Sequence, residues 1–202
     1  MTDIIKRKLI LASGSRARAG LLQAAGVAFE VCVSGVDEDK IKSAYKGIPA
    51  QLALALAAAK AQAVYADNHD PDILILAADQ LLVCEDVIFD KPADMVAARA
   101  HLEQLRGRSH RLVNGLVLLA EGECVWRYEE ETRLTMRDFS AAFLDDYLAQ
   151  TGEAILSSVG AYQIEGLGVQ LFSDIEGDYT GILGLPLVPL LAALRHYGVL
   201  HG

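Results

Sequence analysis

The stretch Leu-Ile-Leu-Ala-Ser-Gly-Ser-Arg-Ala-Arg, at residues 9–18, is the most informative part of this 202-residue chain. Its first half is a short apolar run, which is typical of a buried strand. The Ser-Gly-Ser turn frees backbone N–H groups, and Arg16 and Arg18 then open a helix whose N-terminus favours negative charge. Two interpretations stay open: Ser13 or Ser15 only caps the helix, or the turn binds an anion such as phosphate.

The composition excludes several classes of protein. Hydrophobic residues make up 52% of the chain, which argues against disorder. The formal charge of −9 argues against broad attraction to nucleic acid or anionic membranes, because no block rich in lysine and arginine offsets it. We therefore expect a phosphate ligand to be held by a local cluster of residues together with a metal cation.

Cysteine usage and the apolar segments predict a soluble, cytoplasmic protein. Cys32, Cys84 and Cys124 lie far apart and form neither a metal-ligand pair nor an even disulfide set. The first apolar run is too short for the core of a signal peptide. Later apolar stretches, at residues 52–59 and 182–194, are short or broken by proline, so that neither is expected to span a bilayer.

Hydrophobic periodicity and turn residues predict a mixed α/β fold. The predicted helices lie at residues 17–25, 49–67, 94–105, 140–147 and 186–197. The predicted strands lie at residues 9–12, 29–33, 72–79, 112–119, 124–136 and 169–175, with a short hairpin at 81–89 and a charged loop at 35–40. Strand and helix units at the front, with an antiparallel hairpin later, predict a mixed twisted sheet in two lobes around a central cleft. We find no internal repeat or linker, so residues 1–202 are expected to form a single two-lobed domain.

Asp79 is the strongest single candidate for chemistry. It is predicted to end an apolar strand, and in open α/β sheets ligands bind beyond the carboxyl ends of the strands. An aspartate that only turns the chain is an equal alternative. Gln80, the next residue, either recognises the edge of a nucleobase or faces solvent.

Other charged residues are weaker candidates on their own. Glu38 lies between Asp37 and Asp39, and three adjacent carboxylates favour a nearby cation, although a solvated turn explains them as well. Lys60 stands alone on a helix rich in alanine and leucine, so it either reaches water or points into a site. Lys91 precedes a proline that stiffens its backbone, which suits a phosphate contact or an ordinary surface.

Histidines and glycines leave similar alternatives. His110 either donates to a phosphate or packs beside the hairpin, and packing is the favoured interpretation. No Ser-His-Asp or Cys-His arrangement is recognisable, so covalent catalysis is not indicated. Glycines punctuate residues 160–168 and 184–187, where they permit a close approach to a ligand or form plain turns.

Taken together, these segments resemble the Maf family of nucleotide pyrophosphatases, also named septum-formation inhibitor-like proteins. The resemblance runs nearly end to end through the Ala-Ser-Gly-Ser-Arg-Ala-Arg opening, Asp37-Glu38, Lys60, Ala78-Asp79, Lys91-Pro92 and the glycine segments at residues 160–168 and 184–187. It implies a fold similar to Maf and inosine triphosphatase proteins, and a homodimer. It also implies hydrolysis of a nucleoside triphosphate to the monophosphate and pyrophosphate with Mg²⁺, Mn²⁺ or a similar ion.

The resemblance also implies roles for individual residues. The catalytic residues it implies are Asp79, Lys60, Lys91 and Glu38. Asp79 is implied to act on the attacking water, and Glu38 and Asp79 are implied to hold the metal. The substrate-binding residues it implies are Ser13, Ser15, Arg18, Ala17, Gln80 and Glu165.

At the positions that the family uses for base selection, the residues of this chain resemble those of one branch of the family. Gln80 and Glu165 resemble the branch that acts on 7-methyl-GTP rather than the branch that acts on dTTP and UTP. Ala17 departs from that branch, which carries a large aromatic residue there. Arg16 also departs from the family, since it stands where the family usually has proline, and Gly20 stands where an acidic residue often follows.

Two functions from different classes are therefore considered. The first is a metal-dependent pyrophosphatase acting on modified or non-standard nucleoside triphosphates, with dTTP or UTP as alternative substrates. The second is a non-catalytic nucleotide-binding regulator of cell division. Direct binding of nucleic acid is disfavoured because the chain has no basic stripe, and no membrane partner is expected.

Overall fold

The computed structural model describes residues 7–201. The strands in that range are β1 (Lys8–Leu11), β2 (Glu30–Val31), β3 (Ile73–Cys84), β4 (Val87–Phe89), β5 (Ser109–Ala120), β6 (Glu123–Met136) and β7 (Phe172–Glu176). The α-helices are α1 (Arg16–Ala24), α2 (Glu38–Ala44), α3 (Pro49–Tyr65), α4 (Met95–Leu105), α5 (Ala141–Thr151), α6 (Tyr179–Ile182) and α7 (Leu187–His196). Three 3₁₀ turns lie at Gly152–Ser157, Val159–Ala161 and Leu167–Leu171.

The strands form a mixed sheet. Its order is β2-β1-β3-β5-β6-β7, and β4 pairs with β3 off this path. β1 runs parallel to β2 and β3, whereas β4 is antiparallel to β3 and β7 is antiparallel to β6. The predicted mixed α/β class is therefore confirmed.

The chain forms two compact units. Within the described residues, the first unit comprises residues 7–80, 114–130 and 179–201, and the second comprises residues 81–113 and 131–178. The long strands β3, β5 and β6 each contribute residues to both units. The central cleft expected from the sequence stays a prediction.

In the first unit, side chains alternate along β1 so that successive residues enter different cores. Leu9 and Leu11 pack in one cluster with Leu22 of α1 and with Leu190 and Leu194 of α7. This is the period-two pattern of a strand whose two faces are both covered. The apolar run that opens the sequence is therefore buried on both sides, as a strand of this kind requires.

The opposite face of the same strands packs against α3. Ile10 and Ile75 share a second cluster with Ala57 and Ala61 of that helix. α3 lies very close to the sheet because β5 has a glycine, Gly115, beneath it. A Cβ atom at Gly115 would come within 2.5 Å of the α3 backbone, so any other residue there would push the helix away.

The position of Asp79 in its strand differs from the prediction. β3 does not end at Asp79 but continues to Cys84, because its second half pairs with β4 through Leu82 and Phe89. Asp79 therefore lies inside a 12-residue strand rather than at its carboxyl end. Alternation places its side chain on the α3 face, together with that of Ile75.

The acidic loop predicted at residues 35–40 is in part helical. Asp37 caps α2, and its Oδ1 accepts a hydrogen bond from the backbone N–H of Lys40 at 3.2 Å. Glu38 and Asp39 then occupy the first turn, where negative charge favours the helix dipole. The adjacent carboxylates, which suggested a solvated turn, therefore belong to the N-terminus of a helix.

Two further boundaries differ from the prediction. The strand expected at residues 169–175 begins only at Phe172, because a 3₁₀ turn precedes it. α5 continues past the predicted end at Tyr147 to Thr151, and Gly152 follows it with a positive φ of 55°. Glycine adopts that backbone conformation without strain, which explains why the helix stops there.

His110 lies in a buried aromatic cluster of the second unit. It is 1% exposed, and its Nε2 lies 2.9 Å from the hydroxyl of Tyr162, whose ring also contacts Phe172. Burial lowers the pKa of His110 to about 4, so the imidazole is neutral near pH 7. The packing interpretation of this histidine is confirmed.

No helix within residues 7–201 is both long enough and apolar enough to cross a membrane. The three cysteines are all free: Cys84 is buried, Cys32 is half-buried and Cys124 is exposed. Burial raises the pKa of the Cys84 thiol, which favours its protonated form.

Candidate active site

The carboxylates of Asp79 and Glu38 share the ammonium group of Lys60. Lys60 Nζ lies 2.6 Å from Asp79 Oδ1 and 2.8 Å from Glu38 Oε1. The side chains of Lys60 and Asp79 are 11% and 8% exposed, whereas that of Glu38 is 38% exposed. Buried charges are poorly screened, so Lys60 and Asp79 depend on each other, and Glu38 forms the solvent-facing side of the group.

The local structure explains how Lys60 reaches this position. On α3, Lys60 lies in the buried stripe that contains Ala57 and Ala61. These small residues let the helix lie against the sheet, so that the lysine stem covers β3 and its ammonium group reaches Asp79. The sequence left two alternatives for Lys60, and the interpretation in which its ammonium group simply reaches water is wrong.

The serines of the opening turn are held within the turn. Ser15 caps α1, and its Oγ accepts a hydrogen bond from the Arg18 N–H at 3.4 Å. Ser13 is 8% exposed, and its Oγ accepts from the Ser15 N–H at 3.2 Å and from Arg18 Nη1 at 3.3 Å. The capping interpretation is confirmed for Ser15, and anion binding by this turn stays a prediction.

Arg18 is a buried cation that joins three parts of the first unit. Its Nε donates to the Gly184 carbonyl at 2.9 Å and its Nη1 to the Ala78 carbonyl at 2.7 Å. Burial lowers the pKa of the Arg18 guanidinium, and the charges of Asp79 and Glu38 act in the opposite direction. Arg18 thus positions the strand that carries Asp79, in addition to any contact with phosphate that the sequence predicts.

We expect Arg18→Lys to destabilise the protein by about 2 kcal/mol. A lysine keeps the charge but cannot reach both carbonyls, because it lacks the planar fork of the guanidinium. Unfolding in urea measures this difference. Arg16→Lys, at an exposed position of the same helix, is the matched control and should change stability by less than about 0.5 kcal/mol. An Arg18→Lys variant as stable as the wild type would contradict the positioning role.

Gln80 is tied to the protein rather than free in solvent. Its Nε2 donates to Asn114 and to the carbonyls of Gly181 and Ile182. Asn114 is fully buried and was not among the candidates from the sequence. The sequence contained one signal for it: Asn114 is an amide inside the apolar run at residues 112–119. Burying an amide costs free energy unless the amide is hydrogen-bonded, so such a residue is expected to have partners.

The remaining candidates take no part in these contacts. Lys91 and Glu165 belong to the second unit and are exposed. Ala17 is half-buried on α1, and its methyl group offers no stacking surface. The roles of these three residues in binding or catalysis stay predictions.

A family model described as Maf-like protein matches residues 8–197. The chain belongs to the Maf family. The resemblance inferred from the opening turn, Lys60 and Asp79 is therefore confirmed over nearly the whole sequence.

Curated relatives agree with the Maf assignment. A protein of Paramagnetospirillum magneticum named nucleoside triphosphate pyrophosphatase is 51% identical over 194 residues, which cover 95% of this chain and 99% of that protein. One of Maricaulis maris with the same name is 49% identical, covering 96% and 98%. A protein of Rhizobium meliloti named 7-methyl-GTP pyrophosphatase is 45% identical over 199 residues, covering 97% and 99%.

The candidate site of this Maf chain contains two side chains whose chemistry suits a divalent metal. Glu38 and Asp79 offer the carboxylate oxygens that Mg²⁺ and Mn²⁺ prefer. Among residues 7–201, however, no group of three or more His, Cys, Asp or Glu side chains is placed to hold an ion. Since Mg²⁺ is commonly bound by one or two carboxylates plus substrate phosphates, two protein ligands are sufficient for such an ion.

Proposed function

We propose that this Maf-family protein hydrolyses nucleoside triphosphates to the monophosphate and pyrophosphate. The observation that carries the proposal is the Lys60 ammonium group shared by Asp79 and Glu38. The contact brings a carboxylate, which can accept the proton of an attacking water, beside a cation, which can balance phosphate charge, and so supports these roles. Relatives at 45–51% identity, which bear names for this activity, support the same reaction.

In the proposed reaction, water attacks the α-phosphorus and the bond from that phosphorus to the α,β-bridging oxygen breaks. Asp79 accepts the proton of the water as general base. Lys60 balances the negative charge that moves onto the leaving pyrophosphate, with Arg18 adding positive charge nearby. Lys91 is proposed for the same task, and Ser13 and Ser15 for contacts with phosphate oxygens.

A divalent cation is part of this proposal. Glu38 and Asp79 would hold Mg²⁺ or Mn²⁺ together with the substrate, and the bound ion would supply charge stabilisation at the phosphate oxygens. Lys60 already neutralises part of the carboxylate charge. This arrangement favours an ion that arrives with the triphosphate over one that is resident without it.

For the base, we favour 7-methyl-GTP or another modified nucleotide. The names of relatives at 41–45% identity, which are 7-methyl-GTP pyrophosphatases, support this choice. Gln80 and Glu165, with which the sequence resembles that branch, support it as well. dTTP and UTP are the alternative substrates, since Ala17 lacks the aromatic ring expected at its position.

The cellular setting is also a proposal. We propose a homodimer in the cytoplasm, as the family resemblance implies. Free thiols at all three cysteines suit a reducing compartment.

Incubation with a panel of triphosphates in ¹⁸O-water tests the activity and the point of attack. The panel contains 7-methyl-GTP, GTP, dTTP, UTP and ITP, each with Mg²⁺ and with a chelator. We expect monophosphate and pyrophosphate in equal amounts, only with the metal. Because water attacks the α-phosphorus, the ¹⁸O label should appear in the monophosphate.

Other products would lead to different conclusions. Orthophosphate as the first product would contradict the reaction, and label in the pyrophosphate would place the attack on the β-phosphorus. Tight nucleotide binding without any product after long incubation would support the regulator of cell division instead. Turnover that is equally fast with Mg²⁺ and with the chelator would show that the reaction does not need the metal.

A further inference from the structure

One side of α2 is turned towards the rest of the first unit. Positions 38, 41, 42 and 45 are half-buried, whereas positions 39, 40, 43 and 44 are exposed. This is the i, i+3, i+4, i+7 spacing of a single helix face. The hydroxyl of Tyr45, at the end of α2, donates to Gln51 Oε1 of α3 at 3.2 Å. Lys42 therefore lies on the same inward face as Glu38.

Lys42 is less exposed than its setting requires. Its side chain is 23% exposed and that of Glu38 is 38% exposed, although lysine is ordinarily among the most exposed residue types. α2 contains no buried residue, so this face does not belong to the apolar core. A cation on such a face indicates a role for its charge. Lys42 was not among the candidates from the sequence.

Charges alternate from Asp79 outwards to Lys42. The carboxylate of Asp79 contacts Lys60 Nζ, which also contacts Glu38 Oε1. The second oxygen of Glu38, Oε2, lies 3.9 Å from Lys42 Nζ. The two lysines therefore lie on either side of Glu38, and the formal charges of the four groups cancel.

The contact of Lys42 with Glu38 is weaker than the contacts of Lys60. At 3.9 Å it is longer than a hydrogen bond, and ion pairs of this kind near a helix surface contribute little. A phosphate group carries more charge and several acceptor oxygens, so it can replace Glu38 as the partner of this ammonium group. Lys42 is also separated from Asp79 by Lys60 and Glu38. It is therefore placed for a phosphate further along the chain than the one attacked beside Asp79.

We propose that Lys42 is a further substrate-binding residue whose ammonium group contacts the β- or γ-phosphate, the part that leaves as pyrophosphate. The proposal rests on the proposed function, since it concerns the substrate of the same site. Both of these phosphates are charged in the bound substrate and in the product. Lys42 therefore contributes mainly to binding of the triphosphate and of pyrophosphate rather than to the chemical step. The monophosphate product lacks both groups and does not reach Lys42.

Steady-state kinetics of Lys42→Gln test this role with the best substrate of the triphosphate panel. Glutamine keeps most of the side chain but removes the charge. We expect KM to rise by about fivefold and kcat to stay within about twofold of the wild type, since a uniform binding contact is lost. Product inhibition locates the contact. The Ki for pyrophosphate should rise by about fivefold, and the Ki for the monophosphate should stay within about twofold.

Two further variants separate the position of the charge from net charge. Lys40→Gln removes the same charge from the exposed side of α2 and should leave KM and both Ki values within about twofold of the wild type. Lys42→Arg keeps the charge and should restore KM and the Ki for pyrophosphate. Lysine, glutamine and arginine have similar helix propensities, so α2 is preserved in each variant. Equal losses in Lys40→Gln and Lys42→Gln would overturn the proposal, as would equal increases in the two Ki values.

Direct binding keeps this proposal distinct from the proposed function. Calorimetric titration with pyrophosphate and with the α,β-methylene analogue of GTP, both in Mg²⁺, reports affinity without turnover. An active protein in which Lys42→Gln changes neither KM nor the Kd of pyrophosphate would overturn the role of Lys42 and leave the pyrophosphatase proposal intact. A protein without turnover that binds both ligands more weakly in Lys42→Gln, but not in Lys40→Gln, would support Lys42 and contradict the pyrophosphatase proposal.

Discussion

Asp79→Asn is expected to lower kcat for pyrophosphate release by about a thousandfold. The amide has the shape of the carboxylate, but it cannot accept the proton of the attacking water and is a poor metal ligand. The fold should survive, because Lys60 keeps its contact with Glu38 at 2.8 Å and the oxygen of the new amide can still accept from Lys60. Initial rates of pyrophosphate release, normalised to folded protein, measure the effect.

Asp39→Asn is the matched control for this substitution. Asp39 is an exposed carboxylate on α2, next to Glu38, so its replacement changes the net charge in the same way. We expect its kcat to stay within about twofold of the wild type, since exposed charges are screened by salt. Full activity of Asp79→Asn would remove Asp79 from the chemistry, and an equal loss in both variants would point to net charge instead.

The sequence identified Asp79 and Lys60 separately, but not the contact between them. Each belongs to an apolar segment, so the type of its element followed from the pattern, but the spacing left open whether Lys60 reaches water or points into a site, and it placed Asp79 at the end of its strand rather than inside it. Their pairing depends on how closely α3 lies against the sheet, which is set by the alanines of that helix and by Gly115 of β5. Residues 60 and 115 are distant in the chain, and no local pattern links them.

The acidic segment shows why short charged stretches are harder to interpret. Asp37 and Glu38 were consistent with a solvated turn, because α2 is only seven residues long and buries no side chain. The cap at Asp37 starts that helix, and the contact with Lys60 holds Glu38, which is a tertiary effect. The resemblance to a family marked Glu38 as functional where its local pattern did not.

The contacts between Asn114 and Gln80 could not be predicted from the sequence. Gln80 was considered only as a group that recognises a base or faces solvent. Its three partners lie on β5 and α6, 34 to 102 positions further along the chain. Which end of the amide remains exposed depends on those partners, so it became visible only in the folded arrangement.

Lys60→Met is expected to abolish detectable activity and to lower the free energy of unfolding by about 3 kcal/mol. Methionine keeps the apolar stem against β3 but removes the ammonium group. Asp79, whose side chain is 8% exposed, then faces Glu38 without the cation between them. Glu38 limits the loss, because it is more exposed and can turn towards water. Urea unfolding and pyrophosphate release measure the two effects.

The same variant tests whether Asp79 and Glu38 can hold a divalent ion. In the wild type, without nucleotide, Lys60 lies between the two carboxylates, so Mg²⁺ should leave the Tm unchanged. In Lys60→Met the oxygens that contacted one nitrogen are available to an ion, and saturating Mg²⁺ should raise the Tm by roughly 5 °C. Lys42→Met, which removes a half-buried cation 3.9 Å from Glu38 and leaves Lys60 in place, is the control and should show neither the loss of stability nor the response to Mg²⁺. If Mg²⁺ had no effect on Lys60→Met, these two carboxylates would not form the metal site by themselves, and the ion would have to depend on the phosphates of the substrate.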